Sequence, residues 1–541
     1  MMNADLILKS NAVFRGTAEA ASPAAVIVKG DRIIDVTEPD GAERYMGDGT
    51  RVIEYEDKLI MPGFVDAHDH IWIGAVNDSR HVVSLQETTS EAEAIEIIKK
   101  YAAENPDEKR IRGEGWFPAN WNDADLPTKI SLDEAVPDRP AYMMCADGHT
   151  CWCNTKALEE AGYHIGMELE GGSLGTFENG ELNGLIHEPA AMRNAWDMIF
   201  DFPDDQIEEI IEDLMKGLAA QGVTSVSEMN ADGYEDMFYR RYRLFEKMAD
   251  EGRLSCRVHV YTALEDDTDF VKEKAWKEEF SGDIFRISGF KMFLDGVTST
   301  YTGLLLEPYS DRPDTCGEDV PLKTKEELEK AVTAANAEGF PVRIHCIAGG
   351  SVRMALDAFE ASLKANGDHG LRNSIEHIET MHPDDLKRFG ELGVIASMQV
   401  EHLILDSNEK IVRMGEERCR YEWPVRSLLD AGAPLALGTD FPVVKYNQLR
   451  GVGAAVTRRD DDGAISGVDN HENITLAEAL SANTLGSARA YGRENELGTI
   501  EAGKLADIAV IDRNLFGIPA DEIKDATVIL TVMNGKIVHE I

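Results

Sequence analysis

Six residues of types found in metal sites lie at the ends of short apolar segments: His68, His70, Lys291, His345, His377 and Asp440. The pair His68 and His70 ends the segment MPGFVDAHDH. Because alternate side chains of a strand point to the same side, both imidazoles can converge on one cation. His345, His377 and Asp440 end the segments PVRIHC, NSIEHI and LALGTD. Any one of them could be structural, so it is the set that predicts a metal site.

Lys291, in ISGFKMFLDG, is the member of this set whose charge does not suit a cation site. An ammonium group repels metal ions, whereas carboxylation of its nitrogen would give an anionic carbamate that can bridge two divalent ions. The alternative is an unmodified lysine that contacts substrate or pairs with Asp295. The sequence leaves both interpretations open.

The elements that must position these residues alternate between short strands and helices, as a parallel barrel requires. His345 and His377 are 377 − 345 = 32 residues apart, about one strand–helix repeat. Eight segments are predicted to be barrel strands: VDAHDH, GVTSVSEM, CRVHVY, RISGFKMF, PVRIHC, NSIEHI, GVIASM and PLALGTD. The prediction is an α/β fold, a (β/α)₈ TIM-like barrel with its ligands at the C-terminal ends of the strands.

Two β-rich segments at the chain ends and one long insertion complete the predicted domain organisation. Residues 1–60 and 491–541 have too few strands to bury a sheet face separately, so together they are predicted to form a small composite β-sandwich. The barrel is predicted over 61–490. It contains an insertion after its first strand, at about 72–221, which we expect to lie over the mouth of the active site.

Charge and composition exclude several classes of partner. The sequence of 541 residues has 99 acidic and 54 basic side chains, a formal charge of −45 that repels nucleic acids and anionic lipid surfaces. We therefore expect a small-molecule substrate and no nucleic-acid or membrane partner. A homodimer is the expected assembly, because such dimers are common.

The N-terminus and the cysteines predict a soluble cytoplasmic protein. The start of the chain lacks the pattern of a secretory signal, and no run of about 18 apolar residues follows it. Seven dispersed cysteines, an odd number, argue against a disulfide framework. Cys151 and Cys153 do not have the spacing of a zinc knuckle, and we interpret them as packing or pocket-lining residues.

The chain resembles the amidohydrolase superfamily, and specifically its amidohydrolase-3 subgroup of proteins like N-substituted formamide deformylase. The resemblance covers nearly the whole chain. It rests on PGFVDAHDH, GFKMFLDG, GTDFPV, LGTIEAGKLADIAVID and the insertion motif GWFPANWNDADLPTKISLDEAVPDRPAYMMCADGHTCWCNTKAL. It implies a metal-dependent hydrolase that cleaves C–N bonds of amide-like small molecules.

The resemblance also implies how the metal is held. One or two divalent ions, zinc or similar, would be bound. His68, His70 and Asp440 would hold the more buried ion and His345 with His377 the second, with the carboxylated lysine between them.

Further residues are predicted to act on the substrate or on the ligands. Asp440 is predicted to accept a proton from the attacking water and to return it to the leaving nitrogen. His149 is predicted to stabilise the developing oxyanion or hold substrate, with loop packing as the alternative. Asp66 either orients the first imidazoles or makes a structural hydrogen bond. Four aromatic residues are predicted to line an apolar substrate pocket, with core packing as the alternative for each: Trp116, Trp121, Trp152 and Tyr301.

Three other functions stay open on the sequence alone. A mononuclear deaminase is disfavoured because no Glu closely follows His345 in HCIAGGSVRMALDAFE. Lactone, ester or phosphoester hydrolysis is harder to exclude, because the same ions activate water against several electrophiles. A catalytically silent interaction protein should lack metal ligands, yet every predicted ligand is present.

Overall fold

The computed structural model describes residues 3–121, 126–167, 169, 171–230, 235–317 and 323–541. Positions 122–125 of the insertion motif therefore lie outside the described residues. The chain divides into two compact units. The first comprises Met1–Ile71, Leu214–Ala231 and Glu246–Ile541, and the second comprises Trp72–Asp213 and Asp232–Phe245. The second unit overlaps the predicted insertion of 72–221.

Strands occur throughout both units. They are β1 (Leu6–Val13), β2 (Ser22–Lys29), β3 (Arg32–Thr37), β4 (Arg51–Pro62), β5 (Phe64–Val65), β6 (Val82–Ser84), β7 (Ile111–Trp116), β8 (Ala141–Cys145), β9 (Thr150–Cys153), β10 (Ser173–Thr176), β11 (Leu182–His187), β12 (Val223–Asn230), β13 (Arg257–Ala263), β14 (Phe285–Phe293), β15 (Val342–Cys346), β16 (Ser374–His377), β17 (Ile395–Met398), β18 (Leu435–Leu437), β19 (Ile508–Ile511), β20 (Val528–Met533) and β21 (Lys536–Glu540).

The α-helices are α1 (Ile71–Asp78), α2 (Glu91–Glu104), α3 (Lys129–Ala135), α4 (Thr155–Glu160), α5 (Pro189–Phe200), α6 (Asp204–Ala220), α7 (Glu235–Asp250), α8 (Phe270–Glu279), α9 (Lys325–Ala337), α10 (Gly349–Asn366), α11 (Leu386–Leu392), α12 (His402–Met414), α13 (Glu416–Cys419), α14 (Val425–Asp430), α15 (Gln448–Thr457), α16 (Leu476–Ser481) and α17 (Ser487–Ala490). A π-helix, Ala482–Gly486, joins the last two. Short 3-10 helices cover Pro39–Tyr45, Pro118–Asn120, Thr298–Thr300, Pro383–Asp385, Leu515–Gly517 and Ala520–Asp525. Among the described helices, none has both the length and the apolar character needed to cross a membrane.

The first unit contains an eight-stranded parallel sheet in the order β18-β17-β16-β15-β14-β13-β12-β5. Each of its strands overlaps one of the eight segments predicted from the sequence, but β5 shares only Val65 with VDAHDH, so His68 and His70 lie just beyond the strand rather than on it. Strands such as β15 and β16 are buried at every position, which is why they read as short apolar runs. The order and parallel pairing of these strands confirm the prediction of an α/β fold with a TIM-like barrel.

Backbone hydrogen bonds join the two edge strands of this sheet. Ala67, just after β5, donates its N–H to the carbonyl of Leu437 in β18 at 3.1 Å. Beyond the strands, the Asp440 N–H donates to the His68 carbonyl at 2.7 Å. The segments that carry the first and last predicted ligands are therefore joined directly, although 440 − 68 = 372 positions separate them in the sequence.

A second sheet of the first unit combines strands from both ends of the chain. Its order is β21-β20-β19-β4-β1-β2-β3, so β4 from the N-terminal segment pairs with β19 from the C-terminal segment. One face of this sheet buries side chains from both ends in a single apolar cluster that includes Leu8, Val26, Ile60, Val510 and Leu530. The joining of both ends agrees with the predicted composite, while its division into the two layers of a sandwich stays a prediction.

The second unit has its own mixed sheet and its own core. The strand order is β10-β11-β9-β8-β7-β6, with β6, β7 and β8 parallel and the other neighbouring pairs antiparallel. Helix α2 begins at an N-cap, Ser90, whose side chain accepts a hydrogen bond from Glu93 N. Its buried face, Ala94, Ile98 and Ala102, belongs to an apolar cluster with residues of β7 and β8.

Candidate metal centre

His68, His70 and Asp440 meet at the C-terminal ends of the joined edge strands. The Nε2 atoms of both histidines lie 3.5 Å from Asp440 Oδ1. The three ligand atoms lie within 4.8 Å of one another. The side chain of His68 is fully buried, whereas that of His70 is 21% exposed, so His70 lies on the open side of the group.

Glu376 orients the imidazole of His68. Its Oε2 accepts a hydrogen bond from His68 Nδ1 at 2.7 Å, and both side chains are fully buried. Because a carboxylate only accepts, the ring proton is on Nδ1 and the lone pair of Nε2 faces Asp440. Sequence analysis missed Glu376. The signal was its place on β16, where strand alternation puts it on the same face as Ser374, which donates to it.

Asp66, the residue proposed for that orienting role, makes structural hydrogen bonds instead. Its carboxylate accepts from the N–H of Thr439 at 2.9 Å, from the Thr439 hydroxyl at 2.6 Å and from Gln448 Nε2. It also accepts from the backbone N–H of His68 at 3.2 Å. Asp66 thus holds the backbone on either side of the junction, and the second of the two interpretations offered by the sequence agrees with the structure.

Lys291 reaches into the same group of ligands from β14. Its Nζ lies 3.2 Å from His68 Nε2, and its side chain is buried. Burial lowers the pKa of Lys291 to about 8, so the neutral amine is more populated near neutral pH than in an exposed lysine. Asp295 has other partners: it accepts hydrogen bonds from the N–H groups of Leu304, Ile347 and Ala348 and from Ser351 Oγ.

His377 and His345 continue the row of imidazoles on neighbouring strands. The ring centroids are 4.8 Å apart for His68 and His377, and 4.3 Å apart for His377 and His345. His377 Nδ1 lies 3.8 Å from Asp440 Oδ2, and His345 Nε2 lies 3.4 Å from the Gly296 carbonyl. All six residues predicted as ligands are therefore neighbours in a chain of direct contacts.

Burial keeps these imidazoles neutral. It lowers the pKa of His70 and of His345 to about 3, with a further contribution from the charge of Lys291. The pKa values of His68 and His377 are also lowered well below their ordinary value, mainly by burial. A neutral imidazole carries the lone pair that binds a metal, so the four rings are in the ligating form at neutral pH.

Two buried atoms of the group have no hydrogen-bond partner among the described residues, Asp440 Oδ1 and His377 Nδ1. Burial raises the pKa of Asp440 to about 7, against the opposing effect of the Lys291 charge. Buried polar atoms are normally paired, and a cation bound between this carboxylate oxygen and the two imidazole nitrogens would supply the missing partner.

The ligand set suits zinc or a similar divalent ion. Imidazole nitrogens and carboxylate oxygens bind Zn²⁺ at about 2.0–2.2 Å in tetrahedral geometry, which places neighbouring ligand atoms about 3.4 Å apart. The 3.5 Å separations from Asp440 Oδ1 to the two Nε2 atoms are close to that spacing. We conclude that His68, His70 and Asp440 can hold one divalent ion.

His402 is a further histidine at this centre that sequence analysis did not identify. It is the first residue of α12, and its ring is buried. Together with His377 and Asp440 it forms a second group whose ligand atoms lie within 4.8 Å of one another. It belongs to no apolar strand end, so the pattern that revealed the other ligands could not reveal this one.

Arg343 lies on β15, two residues before His345, and points into the barrel interior. It is fully buried, with Nη1 3.7 Å from Glu376 Oε1 and donating to the Ala67 carbonyl at 2.6 Å. The Tyr261 ring packs 4.0 Å from its guanidinium carbon. Arg343 therefore belongs to a buried ion pair with Glu376 and is not among the residues proposed to meet substrate.

Tyr301 and His149 occupy loops of different units. In the first unit, the Tyr301 hydroxyl donates to Asp311 Oδ2 at 2.8 Å, and its ring packs edge-on against Tyr309. In the second unit, the His149 side chain is 55% exposed and its Nδ1 lies 2.9 Å from Glu188 Oε2. Their roles toward substrate stay predictions.

The three tryptophans predicted as pocket walls pack in the core of the second unit. Trp116, Trp121 and Trp152 form a cluster with ring centroids 5.6 to 6.3 Å apart, and each is at most 7% exposed. Each indole N–H has an acceptor, Met143 O, Thr88 Oγ1 and Thr128 O respectively. This is the core-packing alternative, because large apolar rings with satisfied N–H groups stabilise a small sheet, and we leave these residues out of the proposed site.

Comparison with known proteins agrees with this chemistry. The chain is 28% identical to Protein LONG AFTER FAR-RED 3 of Arabidopsis thaliana, over 98% of this chain and 91% of that protein. It is 26% identical to N-substituted formamide deformylase of Arthrobacter pascens, over 99% and 98% of the two chains. A crystal structure of an uncharacterised metal-dependent hydrolase from Pyrococcus horikoshii matches with a TM-score of 0.79 and 25% identity, covering 95% of this chain and 99% of that one.

The resemblance noted in the sequence is therefore confirmed at the level of the family. A model of the amidohydrolase family matches residues 51–539, a range that contains every ligand of the centre described above. The chain belongs to the amidohydrolase family.

Proposed function

We propose that this protein hydrolyses a non-peptide C–N bond of a small amide or N-substituted formamide at the centre formed by His68, His70 and Asp440. The observation that carries the proposal is the unpaired, buried Asp440 Oδ1 facing two oriented imidazoles. The similarity to N-substituted formamide deformylase supports the substrate class.

Glu376 and Asp440 have different roles in the proposed hydrolysis. A divalent ion, when bound, lowers the pKa of water and polarises a carbonyl group. Glu376 keeps the His68 lone pair directed at the ion position. Asp440 Oδ2 accepts a proton from the attacking water and returns it to the leaving nitrogen, so that amide and water give a carboxylic acid and an amine. The nitrogen then leaves as a neutral amine rather than as an amide anion.

Lys291 is part of this proposal in its carboxylated form. Its neutral amine would add to CO₂ with loss of one proton, giving a carbamate whose oxygens are anionic. The contact of Nζ with His68 Nε2 at 3.2 Å supports it, because an anionic group there would attract the cation that a lysine ammonium repels. The resemblance adds a second ion bound by His345 and His377. Native mass spectrometry at neutral pH would reveal the added CO₂, and its loss in Lys291→Arg would assign it.

A cavity of about 660 Å³ in the first unit supports a small-molecule substrate. It is lined by segments that follow strands β14, β15 and β16, which carry Lys291, His345 and His377. Leu305, Leu306, Met381 and Met414 give it apolar walls. We propose that the apolar portion of the substrate binds here.

A panel of substrates tests the reaction class. Purified protein loaded with zinc is assayed with N-benzylformamide, an acetamide, a lactone, a phosphotriester and an aminopurine, each with and without a chelator. We expect chelator-sensitive turnover of the formamide or the acetamide. Turnover of the lactone or phosphotriester alone would contradict C–N hydrolysis and assign ester hydrolysis instead. Turnover of the aminopurine alone would assign deamination.

A further inference from the structure

We infer that Gln399 binds the amide group of the substrate, with its side-chain oxygen accepting a hydrogen bond from the substrate N–H. The inference rests on the proposed function and deepens it, because it restricts the substrate to amides that carry a hydrogen on nitrogen. It gives Gln399 a role in specificity and none in holding a metal ion.

The side-chain amide of Gln399 is buried without a partner. Neither Nε2 nor Oε1 has a hydrogen-bond partner in the part of the chain that the structure describes, and the residue is 1% exposed. Gln448 is equally buried, but its Nε2 donates to Asp66 and its Oε1 accepts from Asn483 Nδ2 at 2.9 Å. An unpaired buried amide costs free energy, so a ligand that pairs with both of its polar atoms would bind there favourably.

The position of Gln399 in the barrel turns its side chain toward the metal centre. In the pairing of β16 with β17, Ser397 is level with Glu376, whose side chain bonds to His68. Residues in register on neighbouring parallel strands point to the same side, as do alternate residues of one strand. Gln399, two residues after Ser397, therefore points to the same side as Glu376 and lies nearer the C-terminal face of the barrel.

Backbone hydrogen bonds connect this segment to the rest of the centre. The carbonyl of Gln399 accepts from the N–H of His402 at 3.2 Å, and the carbonyl of Met398 accepts from the N–H of Gly438 at 3.1 Å. Gly438 is two residues before Asp440. The segment that carries Gln399 is therefore bonded directly to the segment that carries the proposed proton-transfer group.

The two atoms of the side-chain amide require different partners. Nε2 donates, so it needs an oxygen acceptor, which the carbonyl group of an amide, an ester or a lactone supplies equally. Oε1 accepts, so it needs a donor, and a primary or secondary amide supplies one through its N–H. An ester, a lactone or a tertiary amide has no such donor and would leave Oε1 buried and unpaired, which is how a polar site rejects an analogue.

A hydrogen bond from the substrate N–H to Gln399 also suits the proposed mechanism. It occupies the hydrogen of the nitrogen that must leave and keeps the lone pair of that nitrogen available for the proton that Asp440 returns. The specificity for an N–H group and the departure of the amine would therefore depend on the same contact.

Kinetics on two substrates of the same shape test the contact. Zinc-loaded full-length wild type and Gln399→Met are assayed with the best amide of the panel and with the ester in which oxygen replaces its N–H. For N-benzylformamide that ester is benzyl formate, measured as a substrate or as a competitive inhibitor. We expect Gln399→Met to lower kcat/KM for the amide by about 10–100-fold, the effect of losing a hydrogen bond to a buried group. Its effect on the ester should be much smaller, and comparing variant with wild type cancels the different reactivities of the two substrates.

Stability and metal content distinguish substrate binding from a structural role. Gln399→Met removes an amide that has no partner in the described chain, so its midpoint of unfolding in urea should be no lower than that of the wild type. The matched control is Gln448→Met, which removes a buried amide bonded to Asp66 and Asn483 and should lower the midpoint. Zinc content should be the same in Gln399→Met and wild type.

The outcomes separate the inference from the proposed function. Equal losses on amide and ester, a lowered unfolding midpoint, or a loss of zinc in Gln399→Met would each overturn the inference, while amide turnover by the wild type would still support the proposed function. Gln399→Leu is the second variant in case methionine fits badly, and failure of both variants to fold would assign Gln399 a structural role. Absence of amide turnover by the wild type would overturn both.

Discussion

Asp440 is the residue on which the proposed chemistry depends most, because among the described residues it is the carboxylate that faces the Nε2 atoms of two histidines. We predict that Asp440→Asn lowers kcat by about 10²–10⁴-fold, the usual contribution of a positioned acid or base, while the fold is retained. The measurement is steady-state kinetics on the best substrate of the panel, with circular dichroism to check folding. Asp462→Asn, an exposed position, is the control. Near-normal turnover of Asp440→Asn would show that Asp440 is not the group that transfers the proton.

Glu376 acts on the metal only through His68, so its substitution should affect metal affinity before it affects the fold. We predict that Glu376→Leu weakens zinc binding by about 10–100-fold, because the His68 ring loses the partner that sets its tautomer. Glu376→Gln, which keeps an acceptor for the ring N–H, should be affected less. Competition with a chelator measures the affinity, and Glu360→Gln, at a partly exposed side chain of α10, is the control. Equal affinity in Glu376→Leu and wild type would contradict the orienting role.

At the scale of elements, the candidate ligands at strand ends were predictable from the sequence, whereas the residues that reach the site from other positions were not. Buried parallel strands read as short apolar runs, so a polar residue at the end of such a run marks the C-terminal face of the barrel. Glu376 was hidden because the strand alternation that turns it inward should turn His377 away. The backbone of His377 has φ of 74°, which breaks the alternation and brings both side chains to the centre. His402 begins a helix, and no periodicity indicates which helix start reaches the site.

Closure between β5 and β18 requires a glycine at position 438. A methyl group there would lie 2.6 Å from His68 N and 2.7 Å from Asp66 Oδ1. We predict that Gly438→Ala lowers the free energy of unfolding by about 1–3 kcal/mol, the usual cost of overpacking, and weakens zinc binding as His68 is displaced. Gly451→Ala is the matched control: it lies in α15 with open space around it and should raise stability by up to about 1 kcal/mol. Unfolding curves measure both, and equal stability of the two variants would contradict the closure argument.

At the scale of the whole molecule, both ends of the chain share one apolar core. Leu530, in the C-terminal strand β20, is fully buried in the cluster that contains Leu8 of β1. We predict that Leu530→Ala lowers the free energy of unfolding by about 2–5 kcal/mol and speeds amide hydrogen exchange in Leu6–Val13. Ile541→Ala, at a side chain that is 78% exposed, should change stability by less than about 0.5 kcal/mol. Faster exchange confined to β20 would show that the two ends do not stabilise each other.

The barrel and the grouping of the six candidate ligands could be predicted from the sequence, because each of these residues lies in or just after a short apolar run that forms a barrel strand. The packing of the three tryptophans could not be predicted, because the sequence pattern around an aromatic residue in a long insertion is the same whether the residue lines a pocket or fills a core. Trp116 and Trp152 became core residues because the second unit has a sheet of its own that needs covering. Selectivity residues are therefore better sought around Leu305 and Met381 than in that cluster.

Metal content per chain tests the central claim most directly. Wild-type protein and His68→Ala are purified in parallel, reconstituted with zinc, dialysed and subjected to elemental analysis. We predict at least about one tightly held ion per wild-type chain and little or none in His68→Ala. A wild-type chain that holds no divalent ion after reconstitution, or a variant that holds as much as the wild type, would contradict a catalytic centre built on His68, His70 and Asp440.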